Sequence, residues 1–280
     1  MTVRNLHIIK ASGEKDVFSV EKVKASLRKS GADEEVISDI LSNLEDELYD
    51  GISTKEIYNR AFNLLKKRNR SFASRYKLKN AIYELGPTGF PFEKFIASIL
   101  KHSGFKVEVG KIVQGICVTH ELDVIARKDK EKNLFECKFH TEPGKACDVK
   151  IPLYIHSRFR DIQNFLDKNH PGTPAFKGWL VTNTRFTEDA RKYGKCVGLN
   201  LLSWDFPKGN ALKDRIDHTG LYPITVSTLL SAREKQFLLS RDVVLCKELI
   251  DDKFYLDHLG ISEGRKSRIL KEMEMLCKVS

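Results

Sequence analysis

Three polar residues carry the sharpest chemical signal in the chain. Asp123 stands in Glu121-Leu122-Asp123-Val124-Ile125, and Glu136 and Lys138 stand in Leu134-Phe135-Glu136-Cys137-Lys138-Phe139. Two carboxylates bind a hard divalent cation through oxygen, and Mg²⁺ commonly keeps one or two protein carboxylates while phosphate and water complete its shell. A lysine ammonium beside them can orient or help deprotonate an attacking water and offset the charge that builds on phosphorus. Together these residues would perform metal-assisted hydrolysis of a phosphodiester. The plainer alternative is a cross-strand salt bridge between Asp123 and Lys138 with Glu136 exposed, and this trio alone leaves both open.

Positioning these groups requires strands. Side chains alternate along a strand, so Glu136 and Lys138 share one face while Phe135, Cys137 and Phe139 take the other. The polar run Lys128-Asp129-Lys130-Glu131-Lys132-Asn133 is a turn. A hairpin centred there would set Asp123 across from Lys138 with Glu136 diagonal to it, and a slip in register would change that pairing. Glu93 lies in a predicted helix over residues 92–102, bordering the apolar stripe of Phe92, Phe95, Ile96, Ile99 and Leu100. It is either a peripheral acid reaching the same metal or an acid favoured in a first helical turn. His120 and His140 flank the trio in sequence; phosphate contact or proton transfer stands against the plainer reading of strand-end surface histidines. The run 145–160, with Lys150, His156, Arg158 and Arg160, is either a cationic face for a DNA backbone or a solvated helix face.

At about 100 to 200 residues per domain, 280 residues imply two domains or three small ones. Lys and Arg number 48 against 38 Asp and Glu, and the net +10 favours a polyanionic partner. No run reaches the roughly 18–20 apolar residues of a bilayer crossing, so a soluble, cytoplasmic protein with no membrane partner is expected. The six cysteines form no C-x-x-C pair, which fits reduced thiols rather than a disulfide framework or zinc knuckle. Residues 1–86 begin with two short extended runs, 6–10 and 17–19, and then turn helical. Ser53 and Glu56 form a capping box there, and a last helix is predicted over 72–85 before Gly86-Pro87. Residues 90–206 read as an α/β domain with a mixed sheet, its strands at 105–109, 115–119, 122–127, 134–140, 179–182 and 199–203. Residues 207–280 read as short helices.

Within 90–206, Phe92-Glu93-Lys94-Phe95-Ile96, Gly104-Phe105, His120-Glu121-Leu122-Asp123-Val124-Ile125-Ala126, Glu136-Cys137-Lys138 and the stretch from Leu180 through Thr182-Asn183-Thr184 to Ala190 occur in one order. That ordered set resembles the Mrr-type restriction endonucleases of the PD-(D/E)xK superfamily. The resemblance implies a mixed-sheet nuclease core, Asp123 and Glu136 as ligands of Mg²⁺ or Mn²⁺, Lys138 as catalytic lysine and Glu93 as accessory acid. One departure is His120-Glu121 before Asp123, where many relatives carry a glycine-rich run, which leaves the roles of His120 and Glu121 open. Residues 3–85 resemble an ATP-cone, through Ile8-Ile9-Lys10-Ala11-Ser12-Gly13, Phe18-Ser19-Val20-Glu21-Lys22-Val23 and the helix opening at Ser53-Thr54-Lys55-Glu56-Ile57. That implies ATP or dATP as an effector held by Lys10 and Lys22, although Ala11-Ser12 stands where the family usually has Arg-Asp. The tail faintly resembles tandem helix-hairpin-helix units, best at 259–266; plain helical packing is the alternative. The resulting expectation is a metal-dependent DNA endonuclease with a nucleotide-sensing domain, dimeric if it cuts both strands. A non-catalytic, nucleotide-responsive DNA-binding protein is the alternative. A ribonucleotide reductase fragment or regulator lacks support, since there is no zinc ribbon and no radical-site segment.

Overall fold

The computed structural model describes residues 6–10 and 12–278. Strands β1 (His7–Ile9), β2 (Lys15–Val17) and β3 (Ile52–Ser53) form a small sheet in which β1 pairs antiparallel with β2 and parallel with β3. Ala11 lies outside the described residues. Helices α1 (Val20–Lys29), α2 (Glu34–Glu45) and α3 (Thr54–Arg68) follow. Each opens on a side chain that satisfies an otherwise orphaned backbone N–H: Ser19 accepts from Lys22, Asp33 from Val36, and Ser53 from Glu56 in the expected capping box. Their stripes meet in a core of Leu27, Ile37, Ile40, Leu44, Ala61 and Leu65. Where one helix was expected over 72–85, the chain makes two, α4 (Arg70–Tyr76) and α5 (Leu78–Tyr83), jointed at Lys77. The Lys77 ammonium turns there to Glu84 at 2.7 Å and toward the Thr225 carbonyl.

Beyond Gly86-Pro87 come α6 (Phe90–His102), β4 (Lys106–Gln114), β5 (Thr119–Lys128), β6 (Glu131–Lys138), β7 (Ala146–Cys147), α7 (Lys150–Asn169), β8 (Lys177–Thr182), β9 (Arg185–Phe186), α8 (Glu188–Cys196) and β10 (Asn200–Leu202). The main sheet is five-stranded, ordered β10-β8-β6-β5-β4. It is antiparallel through β4, β5 and β6, and parallel through β6, β8 and β10. Phe92, Phe95 and Ile96 of α6 pack with Val124, Ala126 and Phe135 on one face. Ile155, Phe159 and Ile162 of α7 pack with Ile125, Leu134 and Leu180 on the other. Of residues 115–119, expected as a strand of their own, 115–118 instead form the turn between β4 and β5, and Thr119 opens β5. The Gly115 N–H donates to Val118 O at 2.9 Å, and a Cβ at Gly115 would lie 2.0 Å from Asp161 Oδ2.

Helices α9 (Leu212–Thr219), α10 (Ala232–Ser240), α11 (Cys246–Asp251), α12 (Phe254–His258) and α13 (Glu263–Cys277) complete the chain. Their apolar residues, among them Leu238, Leu249, Ile269 and Met273, join the same core as Phe92 and Phe95. The two cations of the 259–266 segment are not free for phosphate: Arg265 pairs with Glu234, and Lys266 with Asp257 and Glu263. Plain helical packing therefore describes this region. Among the described residues, no helix is long and apolar enough to cross a membrane.

Candidate active site at the ends of the central strands

Hairpin β5–β6 closes on a two-residue turn, Asp129-Lys130, with Asp129 in the left-handed region at φ 53° and Lys128 paired to Glu131. This turn is shorter than the polar run implied. Its register pairs Val124 with Phe135, so one further step places Asp123 opposite Glu136. The expected pairing of Asp123 with Lys138 is thus corrected by two residues, a shift that preserves the faces and brings the two acids together. The salt-bridge alternative fails on both counts: Glu136 is 6% exposed, and Lys138 is exposed with no ion pair among the described residues.

A second irregularity frees Asp123. Val107, Val109, Val124 and Ala126 pack on the α6 side, whereas Val113 and Leu122 pack on the α7 side. The β4–β5 ribbon turns over between them, where Gly110 takes φ 61° and the ladder skips the pair of Gly110 and Asp123. At this turnover the Asp123 carboxylate is half-buried and accepts the Cys137 backbone N–H on Oδ2 at 2.6 Å. Glu136 shares the face of Leu134, toward α7. There the Arg158 guanidinium donates to Glu136 Oε2 at 2.6 Å and also to the Glu121 carbonyl. Glu93, from the first turn of α6, completes the acid group.

The electrostatics record their proximity. Burial, reinforced by the Asp123 charge, pushes Glu136 up to about 8 despite Arg158. Burial and then Asp123 push Glu93 up to about 7. Asp123 is raised by burial, with the Cys137 N–H opposing. The Lys138 charge is felt instead by His140 and Cys147. The structure thus sets Asp123 opposite Glu136, with Glu93 within electrostatic reach, and leaves Lys138 exposed, two residues along β6 from Glu136.

His120 Nε2 lies 2.8 Å from Asp161 Oδ2, and Asp161 also accepts the Cys117 N–H. The His120 bond, with support from the Cys117 N–H, holds Asp161 down at about 2. His120 therefore pins the β4–β5 turn to α7. His140 is fixed through its backbone: the buried Asn183 amide accepts its N–H and donates to its carbonyl, both at 2.8 Å. Burial and then the Lys138 charge lower the His140 imidazole. Arg158, read in the sequence as part of a cationic or solvated helix face, instead turns inward to Glu136, and Asn183, noted there only within a matching stretch, holds the His140 backbone. A signal existed for Arg158, which falls within the i, i+4, i+7, i+11 stripe of α7 (Ile151, Ile155, Arg158, Ile162), so its charge had to meet an acid from the sheet.

The acid group fits a hard divalent ion. Glu136 Oε1 is buried and has no hydrogen-bond partner among the described residues, and Asp123 commits only Oδ2. Among the described residues, no three acid, His or Cys side chains form a ready metal cage. The set therefore suits an ion that takes two carboxylates and fills its shell from phosphate and water.

In the N-terminal region, Lys10 and Lys22 converge on one carboxylate, Asp16, at 3.0 and 3.6 Å. Lys10 also meets Glu14 at 3.2 Å. The bonds to Asp16 and Glu14 raise Lys10.

A helix-flanked mixed sheet with acids gathered across neighbouring central strands defines the PD-(D/E)xK nuclease fold. Known families account for the chain in three parts: an ATP cone domain over residues 6–83, a restriction endonuclease domain over 87–206 and an AF1548-like C-terminal domain over 222–277. An uncharacterized protein of Archaeoglobus fulgidus is 32% identical over 178 residues, 63% of this chain and 97% of that one, and the chain belongs to its family. The crystal structure of AF1548, a protein of unknown function, superposes with a TM-score of 0.55 at 29% identity over 68% of this chain and 98% of that one. Can2 from Sulfobacillus thermosulfidooxidans, solved with cyclic tetra-adenylate, overlaps with a TM-score of 0.30 at 14% identity, covering 73% of this chain and 63% of that one. An overlap that slight carries no functional argument.

Proposed function

We propose that the protein is a divalent-metal-dependent DNA endonuclease, with Asp123, Glu136, Lys138 and Glu93 as its catalytic set and ATP or dATP at Lys10 and Lys22 as its effector. The reading rests chiefly on one observation: Asp123 and Glu136 stand opposite each other within the restriction endonuclease domain, one orphaned carboxylate oxygen between them. Asp123 and Glu136, with Glu93 at the edge, would hold Mg²⁺ or Mn²⁺, which supplies Lewis-acid polarisation of a phosphoryl oxygen. The chain does the rest. The Cys137 N–H orients Asp123, Arg158 orients Glu136, and the exposed Lys138 would orient the attacking water and offset charge on the phosphate. Lys10 and Lys22 would exchange Asp16 for nucleotide phosphate. Cutting both strands with one site per chain calls for two copies.

Supercoiled plasmid with Mg²⁺ or Mn²⁺, with and without ATP, tests the proposal. Wild type should nick the plasmid and EDTA should stop it. Asp123→Ala and Lys138→Ala should each lose about 100-fold or more, the scale of a transition-state charge contact. Equal residual nicking by wild type and both variants refutes the catalytic assignment. The second reading, a non-catalytic nucleotide-responsive DNA binder, is favoured by the hold of Arg158 on Glu136, and gel shifts without cleavage in any metal would establish it.

A further inference from the structure

Two cavities join on the seam between the ATP cone domain and the nuclease domain, with volumes of about 340 and 130 Å³. They share Lys79 and Trp204 as a common wall. The wider one adds Lys29, Arg75 and Lys213, and the narrower one adds Lys145 and Arg185. Of these six cations only Lys145 has a carboxylate partner among the described residues, Glu142 at 3.0 Å. The two acids of the lining are already engaged, Asp205 by the Ser203 hydroxyl at 3.0 Å and Asp217 by the Tyr222 hydroxyl at 2.9 Å. Lys79 lies within electrostatic reach of Arg185 and Lys213, with Asp205 as counter-charge. Cations outnumbering acids along one cleft attract an anionic partner.

The seam leads to the candidate active site. The narrower cavity is lined by Lys145, five residues after His140. Thr184 and Arg185 of the same wall follow directly on Thr182, the register partner of Lys138. Tyr58, Tyr83 and Trp204 interleave flat apolar surfaces with the cations. Within the wider cavity the Tyr58 hydroxyl and Arg75 Nε are buried without hydrogen-bond partners among the described residues. Cations spread over two adjoining cavities with aromatics among them match a polynucleotide backbone better than a compact anion.

We infer that this seam is the track for the phosphate backbone of the DNA strand running from the cleavage point, so that Lys29, Arg75 and Lys79 of the ATP cone domain grip substrate together with Lys213, Arg185 and Lys145. The assignment rests on the nuclease reading for its substrate class. It makes the ATP cone domain part of the substrate surface.

The experiment is fluorescence anisotropy of a labelled DNA duplex in EDTA, titrated across salt with the full chain, so that binding is read without cleavage. Each phosphate contact contributes about 0.9 to the slope of log affinity against log salt. Lys79→Gln/Lys213→Gln should therefore flatten the slope by about 1.8 and weaken binding at least about fivefold at moderate salt. Lys66→Gln/Lys67→Gln, on the exposed end of α3, should bind like wild type. If the double variant melts below wild type, Lys213→Gln alone should flatten the slope by about 0.9. Wild-type affinity and slope in the seam variants overturn the inference, as does absence of DNA binding by wild type. So does loss of ATP binding in the double variant with an unchanged DNA slope, which would assign the seam to free nucleotide. Failure of the nuclease reading looks different: wild type binds DNA with the full slope, the seam variants do not, and no metal produces cleavage.

Discussion

At the scale of single residues, the candidate site is a set of carboxyls held in a poor electrostatic state by burial and by one another's charge. Glu136 sits near 8 and Glu93 near 7, both above the ordinary 4.5. In the window from about 4.5 to about 8 the folded protein keeps protons that the unfolded chain has released, so metal-free stability falls as pH rises through it. The urea midpoint in EDTA should accordingly decline from about pH 4.5 to about pH 8 and level off above, and Glu136→Gln should flatten most of that decline. Equal slopes in wild type and variant would show that Glu136 is not the group responsible. Because a metal takes carboxylates, its binding near neutral pH should release protons. Alternation and strand order made it legible that Asp123 and Glu136 lie on neighbouring strands, and the register sets them opposite each other. The partners were only half legible: the stripe of α7 turns Arg158 toward the sheet, but no local pattern says that the acid it meets, 22 positions away, is Glu136.

At the scale of elements, the site depends on two irregularities in β4 and β5. One is the turnover at Gly110; the other is the tight turn at 115–118, clamped by Asp161 and His120. A methyl at position 115 would meet Asp161 Oδ2 at 2.0 Å and Val118 O at 2.6 Å, and the second of these is backbone. Gly115→Ala should therefore cost about 2 kcal/mol in urea unfolding, the scale of overpacking a close contact. A change below a few tenths would show that the turn gives way freely. Alternation in 134–138 made the faces of β6 readable, and Ser53 with Glu56 announced the start of α3. The register was not readable, because a polar run of six residues can house a two-residue turn at more than one place, and each choice pairs Asp123 differently. The strand break at 115 was misplaced for a related reason: β-branched Val113 and Val118 look alike in sequence, although only Val113 packs against the core.

At the scale of the whole molecule, the C-terminal helices join the other two parts. Glu272, 5% exposed, accepts from Ser74 of α4, from the Ser227 hydroxyl, and from the Thr228 hydroxyl and N–H. Lys235 bonds Glu84 at 3.2 Å and the Thr225 carbonyl at 2.7 Å, while Ser98 of α6 bonds Glu248 at 2.8 Å. Glu272→Ala would strand several buried donors, and it should cost about 3 kcal/mol in denaturant unfolding and raise protease cutting near α4. Unchanged stability would mean that water replaces the carboxylate. These contacts were not visible in the sequence, where residues 207–280 read as short helices, either helix-hairpin-helix units or plain packing, because short amphipathic segments do not say which neighbour they cover. The apolar side chains of residues 222–277 lie in one continuous core with α6 and the sheet. A gene trimmed to the nuclease part alone would therefore yield a sticky, poorly soluble product, and anyone dividing this polypeptide for the bench should keep its last helix attached.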